Sequence, residues 1–97
     1  MASGTGTAVL DYGNSPGSNE ATVVITGLGT ITSTSKVESF LMGDDSTGDH
    51  TAQDHRYASA FIGLTCGTPI DGVGFTIYGY STQKLEKTYK VRWVWAD

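Results

Sequence analysis

Cysteine, basic charge and long apolar runs are all scarce in this sequence, and each scarcity excludes something. A single cysteine among 97 residues, Cys66, rules out an internal disulfide. Synthesis in a reducing cytoplasm is the expectation that goes with it. Six Lys plus Arg against ten Asp plus Glu give a net charge of −4, which leaves no basic face for a nucleic acid. No apolar stretch approaches the roughly 18 residues that a membrane-crossing helix needs. The opening Met1-Ala2-Ser3-Gly4-Thr5-Gly6 lacks the basic and apolar regions of a signal peptide. Runs rich in Ala, Leu, Glu and Lys are missing too, so only 57–64 and 83–87 could be argued as helix.

Thirteen glycines and an abundance of Thr, Ser and Val point instead to an all-β protein of one domain. The clearest strand is the last, Tyr89-Lys90-Val91-Arg92-Trp93-Val94-Trp95. Its period of two places Tyr89, Val91, Trp93 and Trp95 on one face and Lys90, Arg92 and Val94 on the other. Both tryptophans share the apolar face, so this strand is expected between two others, as an anchor of the core or of a subunit contact. Phe75 is expected to pack with it.

Residues 1–6 are small and read as a flexible arm, with the folded domain spanning 7–97. Strands are expected at 7–12, 21–26, 36–42, 57–66, 75–80 and 89–95, with a weakly patterned stretch at 30–35. Gly, Pro, Asn and Asp fill the breaks between them. This spacing predicts an antiparallel β-sandwich of about six strands with one long polar loop at 43–56. Within that loop, Thr51-Ala52-Gln53-Asp54 predicts a capped helical turn.

The loop is also the first place to look for chemistry. It gathers Asp44, Asp45, Asp49, His50, Asp54, His55 and Arg56, and the pair Asp-His occurs twice, five residues apart. The plain reading is a solvated acidic loop whose carboxylates cap turns; contact with a partner is the functional one. Asp49, His50, Asp54 and His55 have the donor types for Ca²⁺ or Zn²⁺, but the spacing fits no EF-hand and no thiolate lies nearby. No metal or cofactor is therefore expected. A hydrolase would need His50 or His55 with Ser59 or Cys66, yet no nucleophile elbow or cysteine-protease signature surrounds them. Gly27-Leu28-Gly29 and Gly72-Val73-Gly74 stand alone and do not predict a phosphate cradle. The chain reads as a non-enzyme. Tyr78 and Tyr80 share a face with Thr76, opposite Phe75 and Ile77, and are expected to be exposed for partner contact.

The run 49–57, Gly72-Val73-Gly74-Phe75-Thr76-Ile77-Tyr78 and the ending Val91-Arg92-Trp93-Val94-Trp95 resemble small structural proteins of tailed bacteriophages. That resemblance implies a virion component made in the bacterial cytoplasm, and among these the chain looks most like a capsid decoration (cement) protein. It implies a homo-oligomer, with a trimer expected, bound to the major capsid protein or other virion proteins, without nucleic acid or membrane. Gly74-Phe75-Thr76-Ile77 followed by Val91-Arg92-Trp93 and Ala96 is also similar to the closing strands of H-type lectin domains. This second resemblance implies the alternative, a carbohydrate- or receptor-binding or adaptor module of the tail or tail fibre. The family's closing Trp-x-Ala is spaced differently from Trp93-Val94-Trp95-Ala96, and no sugar-contact residue carries over from it.

Overall fold

The computed structural model describes residues 2–42 and 47–97. Six strands and one short helix follow in the order β1 (Ser3–Asp11), β2 (Ser18–Ile25), β3 (Lys36–Leu41), α1 (Ala52–Ala58), β4 (Ile62–Cys66), β5 (Phe75–Leu85) and β6 (Thr88–Ala96). They form two antiparallel three-stranded sheets, β1-β6-β3 and β2-β5-β4. The edges of the two sheets approach as β1 against β2 and β3 against β4. The protein is an all-β sandwich, drawn out to 40 × 23 × 20 Å.

The strand that dominates the sequence occupies the middle of its sheet. β6 pairs with β1 from Asp11↔Thr88 to Ser3↔Ala96, and with β3 from Leu41↔Val91 to Lys36↔Ala96. Its burial alternates without a break, and Tyr89, Val91, Trp93 and Trp95 are all buried. Across the sandwich Phe75, Ile77, Ala21 and Ile25 meet them, and the Phe75 ring lies edge-on to Trp93 at 5.7 Å.

Residues 3–6 are strand, which corrects the expected flexible arm. Gly4 stands opposite Trp95 and Gly6 opposite Trp93. A Cβ on Gly6 would lie 2.4 Å from Trp93 Cζ2, and one on Gly4 would lie 2.5 Å from Trp95 Nε1. The two indoles therefore lie over the bare backbone of β1, and the missing side chains make room for them. The chain ends reinforce the pairing: Asp97 N–H donates to the Ala2 carbonyl at 3.0 Å, and Ala2 N–H donates to Asp97 Oδ2 at 2.9 Å.

Three further boundaries differ from expectation. β5 runs on through Leu85, where a polar link was expected, after a register irregularity opposite Ser18 and Glu20. Residues 30–35 form a turn that buries Ile31, held by Ser35 N–H donating to Thr32 O at 3.0 Å and by Ser35 Oγ accepting from Thr32 N–H. The strand expected over 57–66 begins only at Ile62, because α1 consumes the first residues of that run. Its start is the capping box read from Thr51-Ala52-Gln53-Asp54: Asp54 N–H donates to Thr51 Oγ1 at 3.1 Å, and Thr51 N–H donates to Asp54 Oδ2 at 3.0 Å.

Candidate functional site

The histidine-bearing segment folds against the start of β6, with Tyr89 as its hub. The His50 ring stacks on Tyr89 at 4.1 Å and 12°, and the His55 ring meets it edge-on at 5.2 Å. Thr88 Oγ1 donates to Asp49 Oδ2 at 2.6 Å, and Thr47 Oγ1 donates to the Thr88 carbonyl at 2.9 Å. His50 Nε2 lies 2.8 Å from the Glu86 carbonyl, which requires the proton on that nitrogen. Its Nδ1 lies 3.6 Å from Asp54 Oδ2. The Thr88 hydroxyl holds the Asp49 carboxyl below its ordinary range, and the Thr51 N–H does the same for Asp54. Burial pushes the Tyr89 phenol up, with the Asp54 charge adding to it.

His55 is not a surface group, which corrects its expected role in partner contact. It is fully buried. The backbone N–H of Lys90 donates to its Nε2 at 2.8 Å, and its Nδ1 sits 2.7 Å from the Thr51 carbonyl. Both ring nitrogens are thereby used, in the Nδ1-protonated form. The imidazole supplies β6 with an acceptor just where pairing with β3 ends, at Leu41↔Val91. It has no lone pair left for a metal, and no group of three or more His, Cys, Asp or Glu among the described residues is placed to hold one. Asp44 and Asp45 lie outside the described residues. Arg56 is exposed on α1, as is Asp49 on the segment before it.

Between α1 and the far end of β5 the segment leaves a groove of about 370 Å³. Its lining includes His50, Asp54, Tyr57, Phe61, Gln83 and Leu85, with Tyr89 at the base. Tyr57 is 73% exposed, the most open of the large hydrophobic side chains among the described residues, and its ring sits 5.5 Å from Phe61 at 56°. Sequence reading placed Tyr57 and Phe61 on a strand and assigned Gln83 no role. Tyr57 belongs to α1 and Phe61 to the turn that follows it, and the capping box at Thr51–Asp54 was the signal for the helix.

Tyr78 and Tyr80 lie on a different surface. They project from the outer face of β5, whereas Phe75, Ile77 and Gly79 point into the core. The two rings are parallel within 2°, with centroids 6.4 Å apart. Thr22 and Thr65 flank Tyr78, while Glu20 and Gly63 flank Tyr80. Beyond Tyr78 a second groove of about 240 Å³ is lined by Val24, Ile70, Val73 and Thr76 among others. Val24, Ile70, Val73 and Tyr80 are all exposed, at 64%, 61%, 42% and 49%. The loop and the tyrosines, expected to serve one role, thus belong to two separate surfaces.

The core anchors offer no chemistry of their own. Trp95, 4% exposed, is closed to a ligand in this chain. Cys66 Sγ donates to Ser39 Oγ at 3.5 Å between the sheets, and burial pushes the thiol up, which keeps it in the unreactive neutral form. Trp93 Nε1 is, among the described residues, the one buried side-chain nitrogen or oxygen without a hydrogen-bond partner. The fold and these surfaces define a small antiparallel sandwich with two open surfaces of unlike chemistry. The chain matches no protein-family model, no curated protein and no solved structure with which it was compared.

Proposed function

We propose that this chain is a structural protein of a phage particle, a decoration protein that binds the assembled capsid through the outer face of β2-β5-β4. The observation that carries the reading is the run of exposed Val24, Ile70, Val73 and Tyr80 around the Tyr78 ring. An extended apolar and aromatic surface with little charge is what a protein contact buries, since desolvating it costs little. The sequence resemblance supplies the setting, and the capsid is the partner that setting implies. Attachment is additive: each copy contributes one modest contact, and the symmetry of the shell repeats it.

This reading moves the contact away from the chain terminus. Residues 3–6 are needed within β1, so they are not available as a grappling arm. The test is the ratio of this chain to the major capsid protein in purified particles, read by quantitative mass spectrometry. A ratio near one copy per capsid subunit, or a simple fraction of it, is expected. A handful of copies per particle would move the chain to the tail or neck, and its absence from particles would overturn the proposal.

A further inference from the structure

We infer that the groove between α1 and the end of β5 is a binding site for a neutral carbohydrate, one sugar ring at a time. It is open, and its volume of about 370 Å³ lies in the lower part of the range of small-molecule sites. Its floor is aromatic but not a clamp. Tyr57 presents its ring to solvent and Phe61 is tilted 56° from it, so a flat base or dye has no parallel pair of faces to slide between. A puckered ring with one CH-lined face can lie on Tyr57 and against the Phe61 edge.

The polar groups narrow the choice further. Asp54 supplies an acceptor: the Thr51 N–H and His50 both engage its Oδ2, and neither uses Oδ1. Gln83, exposed on β5, adds an amide that both donates and accepts. A carboxylate at the rim repels an anion, and the chain as a whole carries −4. Hydroxyl groups paired with a carboxylate and an amide, over an exposed ring, are the complement of this set. The inference does not depend on attachment to a particle, because the groove and the Tyr78–Tyr80 surface involve different residues.

The test is an NMR titration of the intact chain with the methyl glycosides of glucose, galactose and N-acetylglucosamine, each to concentrations on the order of 10 mM. Amide shifts confined to residues 50–61 and 83–89 are expected with at least one of the three. Tyr57→Ala, at an exposed position, is expected to leave the melting temperature unchanged and to weaken that binding by up to about tenfold. Tyr57→Phe keeps the ring and is expected to bind like the parent. No shifts with any of the three glycosides would overturn the inference, as would shifts centred on Tyr78 and Tyr80 or undiminished binding by Tyr57→Ala. Tetramethylammonium is the control: tighter binding of this cation at the same residues would make the groove a cation site and overturn it equally.

Discussion

The inner faces of the two sheets are alike and their outer faces are not. Inside, Leu10, Tyr89, Val91, Trp93 and Trp95 of one sheet meet Ala21, Ile25, Phe75 and Ile77 of the other, with little to tell them apart in polarity. Outside, β1-β6-β3 shows Lys36, Glu38, Lys90 and Arg92 spread among Thr5, Thr7, Val9, Phe40 and Val94. The outer face of β2-β5-β4 shows Thr22, Val24, Thr65, Thr76, Tyr78 and Tyr80, with the charged Glu20 and Lys84 towards one end. Folding accounts for the likeness of the inner faces, since each must exclude water from the other. It does not require the difference outside. A charged face stays solvated and resists association, whereas an aromatic one with its charges confined to one end desolvates more readily. The difference therefore bears on what the protein meets.

Breaking the inner face should have the largest effect. Trp95→Ala removes an indole from between the sheets and leaves Gly4 facing a void, at a cost of about 3–5 kcal/mol. In a domain with about 5–15 kcal/mol in total, urea denaturation should find the variant largely destabilised or unfolded. The two glycines of the β4–β5 pair sharpen the contrast between inside and outside. A Cβ on Gly79 would meet Leu10 Cδ1 at 2.6 Å and Tyr12 Oη at 2.7 Å, whereas one on Gly63 would meet nothing nearer than Tyr80 O at 3.9 Å. Gly79→Ala should cost about 1–3 kcal/mol and Gly63→Ala less than about 0.5 kcal/mol, both by the same denaturation curves.

Smaller effects come from titration. Tyr12 Oη donates to the Gly79 carbonyl at 3.2 Å, which ties the end of β1 to the opposite sheet. Burial, with Tyr89 beside it, raises this phenol to about 12 from its ordinary 10.0. Below pH 10 the group is neutral in both folded and unfolded chains, and its contribution is fully present. Above pH 10 the unfolded chain ionises first, so stability should fall as the pH rises towards about 12. Tyr12→Phe should flatten that alkaline limb, at a cost of about 0.5–1.5 kcal/mol at neutral pH. Asp49 and Asp54 give the smallest effect and the opposite sign. Both carboxyls are depressed below 3.8, so their stabilisation is present above that pH and is lost as the pH falls through their folded values. Because both are open to solvent, melting curves between pH 5 and pH 2 should show only a shallow loss, reduced further in Asp49→Asn.

Much of the sandwich was legible because alternation is a local signal. β6, the start of β5 and the cores of β2 and β3 can be read from side-chain period alone, and the capping box marked the start of α1. The first strand was half hidden, since glycine carries no hydrophobic signal. Gly4 and Gly6 look like a loose arm until Trp95 and Trp93, some ninety positions later, are set against them. His55 was hidden for the same kind of reason. Its burial goes with the Lys90 N–H, which donates to its Nε2 just past the end of β3, a contact set by strand pairing and invisible in the polar run around it. The two surfaces were merged in the sequence because their residue types suit one role. Strand alternation separates them, as Gln83 and Leu85 face the α1 groove while Tyr78 and Tyr80 face away.

The central claim, that the outer face of β2-β5-β4 is the docking face, is tested most directly by two matched charge insertions. Tyr80 on that face and Phe40 on the opposite one are 49% and 46% exposed, so a lysine at either should disturb folding equally little. The measurement is the amount of each variant retained by particles that lack the protein, after sedimentation. Tyr80→Lys is expected to lose most of its binding while Phe40→Lys binds like the parent. Equal retention of the two variants, or loss confined to Phe40→Lys, would contradict the account.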